Sequence, residues 1–230
     1  MSQSRGPRPS RTQQRGTSAG AAAGAAEELR RRIEDAALAP GTRLGEVALA
    51  AELDVSRNSL REAFAELVAE RLLVRHHHRG VFVASPDVQQ VREIYRTRRI
   101  IELGALRFGE VTAQVESELR HVVEALSPDP TAVDPLVMGD ANQRLHGAIA
   151  AMTGAPDLEH TLRQAMARVR LAFQPMDRQT ELHPRFAVRN LQIAQALLEG
   201  RAEELDEMFS AYLDEAERFL LDHLDERAEA

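Results

Sequence analysis

The clearest chemical signal in this chain is a five-residue window holding Arg57, Asn58, Ser59 and Arg61. Guanidinium and amide groups match base edges in a major groove through paired hydrogen bonds, and arginines four apart on a helix fall about one turn from each other. A second cluster, Arg75-His76-His77-His78-Arg79-Gly80, links two short apolar runs. Arg75, His78 and Arg79 suit phosphate oxygens or a minor groove, and Gly80 supplies a permissive backbone for the turn. The three adjacent histidines do not read as a metal site, because neighbouring residues in a strand point to opposite faces. A third candidate is Arg98, which falls on an otherwise apolar helical stripe. An inward guanidinium there needs a carboxylate, either from a ligand or from Glu102 at i+4.

These side chains need elements to hold them. Leu44, Leu49, Ala50 and Leu53 are expected to share one helical face, Asp54-Val55 to turn the chain, and Ser56 to cap a second helix. Leu60, Ala63, Phe64, Leu67 and Val68 recur at helical spacing and form that helix's buried stripe, leaving Arg57, Asn58 and Arg61 off it. Leu72-Leu73-Val74 and Val81-Phe82-Val83 then read as a β-hairpin. Helix, turn, capped helix and basic hairpin in that order predict a winged helix-turn-helix. The alternative is an amphipathic pair of helices with a solvated basic loop.

Composition narrows the functional classes. The 230 residues are 43% hydrophobic, enough for real cores in two units. With no cysteine, disulfide and thiolate chemistry are excluded, and no apolar run approaches a membrane span. A cytoplasmic, nucleoid-associated protein is expected. The net charge of −7 is unevenly distributed: residues 1–84 hold 13 Arg against 10 acids, or +3, and residues 85–230 hold 16 Arg against 26 acids, or −10. An acidic protein can still bind nucleic acid if its cations gather on the docking face. Residues 1–25, with Arg5, Arg8, Arg11 and Arg15, read as a disordered leader, either functionless or a basic arm adding phosphate affinity.

After Ser85-Pro86-Asp87 the pattern is helical throughout, over Val88–Phe108, Thr112–Leu126, Leu136–Met152, Asp157–Phe173, Pro184–Leu198 and Ala202–Leu224. Val91, Ile94, Tyr95, Arg98, Ile101 and Ala105 form the stripe of the first. Loops are expected at Ser127–Pro135, Thr153–Pro156 and Gln174–Thr180. The fold class is therefore mostly α, with a winged helix-turn-helix over 26–84 and an all-α bundle of six to seven helices over 88–224. Bundles hold ligands between facing helices.

Four segments carry a resemblance to the GntR family of bacterial transcription regulators: Leu29-Arg30-Arg31-Arg32-Ile33, Pro40-Gly41-Thr42-Arg43-Leu44, Val55 to Ala63, and Arg79-Gly80-Val81-Phe82-Val83. Where the family usually has an arginine after the glutamate matching Glu46, this chain has Val47. Residues 93–102, Leu145-His146-Gly147-Ala148-Ile149 with Thr153-Gly154-Ala155-Pro156, and Ala196-Leu197-Leu198-Glu199-Gly200 resemble the FadR subfamily, whose C-terminal FCD domain binds effectors. Many of its members bind a divalent metal through one Asp and three His. Here the matching positions hold Asn142, His146, Asn190 and Tyr212, so the resemblance implies no tight metal and no cofactor. A rearranged site using His183 or Asp140 stays open.

The resemblance implies a homodimeric, ligand-responsive transcription regulator, a repressor of a palindromic operator. The DNA-contacting residues are then Arg57, Asn58, Ser59, Arg61, Arg75, His78, Arg79 and Gly80. The effector-binding set is Arg98, Asn142, His146, Asn190 and Tyr212, with a carboxylate-bearing small molecule expected at Arg98. Two rivals are kept: a constitutive DNA-binding protein whose bundle is filled by its own side chains, and a small-molecule enzyme with an accessory winged domain. The enzyme is disfavoured because no nucleophile motif or phosphate-cradling glycine loop is present and His146 has no obvious carboxylate partner.

Overall fold

The computed structural model describes residues 11–35, 37–127, 129–174 and 179–229. The chain divides between Ser85 and Pro86 into two compact units, close to the boundary expected from the sequence.

The first unit opens with α1 (Arg11–Glu34). The expectation of a disordered leader through residue 25 is corrected from Arg11 onward. The alanine-rich run has strong helix propensity, and Ala22, Ala25, Ala26, Leu29 and Ile33 recur at helical spacing as a buried stripe packed on α3 (Arg57–Ala69). Residues 1–10, with Arg5 and Arg8, lie outside the described residues. Arg30 reaches Glu70 at 2.8 Å and Glu66 at 3.1 Å, clamping α1 to the C-terminal half of α3, and Arg32 reaches Glu52 at 2.5 Å on α2 (Glu46–Glu52).

Leu44 does not belong to a helix as expected. It lies in β1 (Arg43–Leu44), which pairs antiparallel with β3 (Gly80–Val83), and β3 pairs in turn with β2 (Leu73–His76). A two-residue strand is too short to produce an alternation visible in sequence. The sheet order is β1-β3-β2, and the register sets Leu73 opposite Val83 and Arg75 opposite Val81. Between α2 and α3 the chain turns at Asp54, whose φ of 52° is left-handed, a conformation Asp tolerates through its short polar side chain.

The second unit is a helical bundle. Asp87 and Gln90 form a reciprocal capping box at the start of α4 (Val88–Arg98). The single helix expected over Val88–Phe108 is instead α4, a π-helical turn over Arg99–Leu103, and α5 (Gly104–Phe108). The predicted stripe is nevertheless buried in full, from Val91 to Ala105. Next come α6 (Ala113–Leu126), α7 (Pro135–Ala151), α8 (Pro156–Phe173), α9 (Gln179–Leu198) and α10 (Ala202–Glu229).

α9 begins ahead of Pro184, which lies inside the helix, so Gln179 and Thr180 of the expected loop are helical and residues 175–178 lie outside the described residues. α6 packs on α7 and α9, and α4 on α8 and α10. Arg99 ties the π-turn to α10 through Asp214 at 2.6 Å and Glu217 at 2.7 Å. Among the described residues no helix is long and apolar enough to cross a membrane.

Candidate functional sites: a basic wing and a buried polar centre

In the first unit, Ser56 caps α3, its hydroxyl accepting from the Ser59 backbone N–H at 3.0 Å. Leu60, Ala63, Phe64 and Leu67 bury the opposite face and leave Arg57, Asn58 and Arg61 exposed at the first turns. Arg57 has no ion-pair partner among the described residues. Asn58 donates to Glu62 at 2.7 Å, and Arg61 pairs through its Nε with Glu46 at 2.5 Å, so part of the hydrogen-bonding capacity of each is engaged by an acid.

Ser59 is 2% exposed, with its hydroxyl 2.9 Å from that of Ser56. Its inclusion among groups that reach out is therefore corrected: it belongs to the cap and the buried side of the helix. Val47, at the position where the resemblance expects arginine, is an exposed apolar side chain.

The wing extends the strands further than the sequence suggested, to His76 on one side and from Gly80 on the other. His78 occupies a left-handed conformation at φ 60°, and Gly80 sits at φ 106°. The permissive role assigned to Gly80 is thus shared with His78. Arg75, His77, His78 and Arg79 are all exposed, and the Arg79 guanidinium stands 6.0 Å from the Phe82 ring. A cation the sequence did not single out joins them. Arg43 on β1 lies beside Gly80, its Nε 3.5 Å from where a Cβ on that glycine would stand. Only strand pairing brings it there.

In the second unit the sequence-predicted set Arg98, Asn142, His146, Asn190 and Tyr212 converges from four helices on one polar centre. Arg98 is 2% exposed, and its Nε donates to Glu102 Oε2 at 2.9 Å. The other Glu102 oxygen meets His146 Nδ1, which corrects the expectation that His146 has no carboxylate partner. Arg98 Nη2 lies 3.1 Å from His146 Nε2, and its guanidinium carbon is 4.9 Å from the Tyr95 ring centre. The Tyr212 hydroxyl stands 3.1 Å from His146 Nε2 and donates to Asn142 Oδ1 at 2.9 Å. Asn190 Nδ2 donates to the same oxygen at 3.1 Å. Asn190 is 1% exposed, and its Oδ1 has no hydrogen-bond partner.

Burial sets the electrostatics. It would raise the Glu102 carboxyl, but the Arg98 guanidinium and His146 outweigh it and hold the carboxyl below its ordinary range. It lowers the His146 imidazole, against the pull of Glu102. It pushes the Tyr95 hydroxyl up to about 12 and the Tyr212 hydroxyl up as well. The resting centre is therefore a guanidinium, a carboxylate and a neutral imidazole, balanced in charge.

A divalent cation does not fit this arrangement. Two positions carry neutral amides and one a phenol, Glu102 engages the imidazole Nδ1, and a guanidinium stands within hydrogen-bond reach of the ring. A metal there would meet a fixed positive charge and too few anionic or imidazole donors. No cluster of three or more His, Cys, Asp or Glu suited to a metal occurs among the described residues, and the side chain of His183 lies outside those described.

A capped helix with exposed arginines beside a basic hairpin, followed by a helical bundle with a polar heart, defines a winged-helix protein with a separate helical domain. The profile of the bacterial regulatory proteins of the gntR family matches residues 21–83, and that of the FCD domain matches residues 93–215. The chain belongs to the GntR family, with an FCD domain as its second unit.

A GntR transcriptional regulator from Rhodococcus sp. RHA1 is 30% identical and superposes with a TM-score of 0.75 over 87% of this chain and 97% of its own. Escherichia coli McbR/YncC, 23% identical with a TM-score of 0.73 over 88% of this chain and 98% of its own, shares the fold. The Nta operon transcriptional regulator of Aminobacter aminovorans is 29% identical over 58% of this chain and 64% of its own length. The gluconate operon transcriptional repressor of Bacillus licheniformis is 37% identical over 43% of this chain and 41% of its own. The chain thus matches less than two thirds of the length of these curated relatives.

Proposed function

We propose that the protein is a ligand-responsive, DNA-binding transcription regulator, a homodimeric repressor released from a palindromic operator by a small molecule held in its bundle. The observation that carries this reading is the exposed Arg57 on the first turn of a capped helix whose far face is buried, with Arg75 and Arg79 exposed on the wing of the same unit. In this reading α3 enters the major groove. Arg57 and Asn58 meet base edges, and Arg61 joins them by exchanging Glu46 for DNA. Arg75, His78, Arg79 and Gly80 place the wing against the backbone or minor groove, where Arg43 adds a further cation.

The buried centre of Arg98, Asn142, His146, Asn190 and Tyr212 is the effector site, and its occupation changes how two winged units present themselves to half-sites of fixed spacing. An effector carboxylate at Arg98, as the sequence suggests, would share the guanidinium with Glu102, which already accepts from its Nε at 2.9 Å. In this reading the protein works in the cytoplasm and carries out no catalysis; Arg98, Glu102, His146, Tyr212 and Asn142 engage one another, while Asn190 Oδ1 and the Tyr95 hydroxyl have no hydrogen-bond partner.

Fluorescence anisotropy with DNA from upstream of the protein's own gene tests the reading. Arg57→Ala should cost about 1–3 kcal/mol of specific binding at fixed salt, and Arg79→Ala should weaken all sequences alike and lower the salt slope by about one. Unchanged operator preference in Arg57→Ala would refute the assignment of α3 as the reading helix.

A further inference from the structure

The proton arrangement of the buried centre has a direction. A carboxylate only accepts, so His146 Nδ1 must carry a proton and donate it to Glu102. In the neutral ring Nε2 is then an acceptor, with the Tyr212 hydroxyl 3.1 Å from it and Arg98 Nη2, which can only donate, 3.1 Å from it and 3.3 Å from Nδ1. The single proton of the Tyr212 hydroxyl goes to Asn142, whose oxygen faces it at 2.9 Å. That orientation obliges Asn190 to present its NH2 to the same oxygen, 3.1 Å away. The chain of donors therefore ends at Asn190 Oδ1, a buried carbonyl that accepts nothing. Such an oxygen loses its hydration on folding without recovering a hydrogen bond, and it is most stable when a donor is brought to it.

The charges point the same way. Arg98 is already matched by Glu102 at 2.9 Å, both essentially inaccessible, so an additional carboxylate beside the guanidinium would also face Glu102. A ligand of either charge would be buried without a counterion of its own. Asn142, half-buried, is the member of the set nearest solvent and adjoins Asn190.

We infer that the bundle takes an uncharged small molecule that presents an O–H or N–H donor to Asn190 Oδ1, in place of a carboxylate held by Arg98. This rests on the reading of the bundle as the effector site. The direction of the proton chain selects the hydrogen-bonding class of ligand, and the neutral Arg98–Glu102 pair selects against an acid.

The test uses the full-length protein and three matched probes, benzamide, benzyl alcohol and benzoate, with binding followed by saturation-transfer NMR and titration. Benzamide and benzyl alcohol should bind at least about 10-fold more tightly than benzoate, the difference a hydrogen bond confers. Asn190→Leu should remove that preference. Asn190→Asp, which keeps an acceptor and adds a charge, should transfer it to benzylamine, a gain that a merely misfolded variant cannot show. Tighter binding of benzoate, lost in Arg98→Ala, would overturn the inference and leave the effector site in place. Binding of no probe, or binding indifferent to both Asn190 and Arg98, would overturn the effector-site reading itself.

Discussion

Arg98 and Glu102 stand 2.9 Å apart with 2% and 0% of their side chains exposed, and that burial makes the cost of separating them asymmetric. Removing one charge leaves the other buried without a partner, which costs about 3–5 kcal/mol, whereas removing both replaces an ion pair by apolar contact at little net cost. Glu102→Gln should therefore lower the urea midpoint of the bundle sharply, and Arg98→Met/Glu102→Gln should recover much of the loss in the same measurement. The same residues set a pH dependence. The unfolded imidazole takes up protons below its ordinary value of 6.5 while buried His146 resists them, so protonation favours unfolding as pH falls through that value. Glu102, held below its ordinary 4.5, contributes stability that is complete above that value and lost as pH falls towards its folded one. Both slopes have one sign. The bundle's melting temperature should be flat down to about pH 7, decline below it, and decline more steeply below about pH 4.5, with the upper part absent in His146→Gln.

At the level of elements, the centre exists because α4, the π-turn, α7, α9 and α10 are held in register by contacts that lie away from it. Gly109 marks one such contact, at the end of α5, where its chain neighbour Glu110 donates to Met152 O at 2.9 Å as α7 finishes. A Cβ on Gly109 would lie 2.5 Å from both the Ala105 and the Met152 carbonyl oxygens. Both obstacles are backbone, so neither can rotate aside. Gly109→Ala should lower bundle stability by about 1–3 kcal/mol, as overpacking does, and calorimetry should show the transition of the winged unit unmoved. Much of the element pattern was legible in the sequence. The Ser56 cap, the α3 stripe and the Val91-to-Ala105 stripe are short-range periodicities that report which face is buried. The π-turn was not legible, because apolar spacing is similar through a turn of slightly different pitch, nor was β1, which is two residues long.

For the whole molecule, the division of charge into a basic first unit and an acidic second has a consequence for assembly. On the proposed reading, one winged unit offers one recognition helix and one wing to a half-site, and the net negative charge of the bundle opposes DNA. Tight operator binding thus calls for two copies. Light scattering should return twice the monomer mass, and a palindrome should bind far more tightly than its isolated half-site at equal salt. A monomer that holds the half-site as well as the palindrome would defeat the proposed mode of release.

The sequence by itself determined the class. The residues of the turn, the cap and the arginines lie within a few positions of one another, so the local backbone brings them together wherever the rest of the chain goes. It also placed Arg98 facing inward by periodicity, and through its resemblance to the FadR subfamily it named His146, Asn142, Asn190 and Tyr212. Only the tertiary structure decided what each of them meets. Glu102 and His146 are 44 residues apart, His146 and Tyr212 are 66 apart, and Asn142 and Asn190 are 48 apart. Periodicity tells which side of a helix is dry, but not which side chain of another helix faces it. For that reason the sequence left Arg98 divided between a ligand and Glu102, and the packing of the bundle assigned it to Glu102.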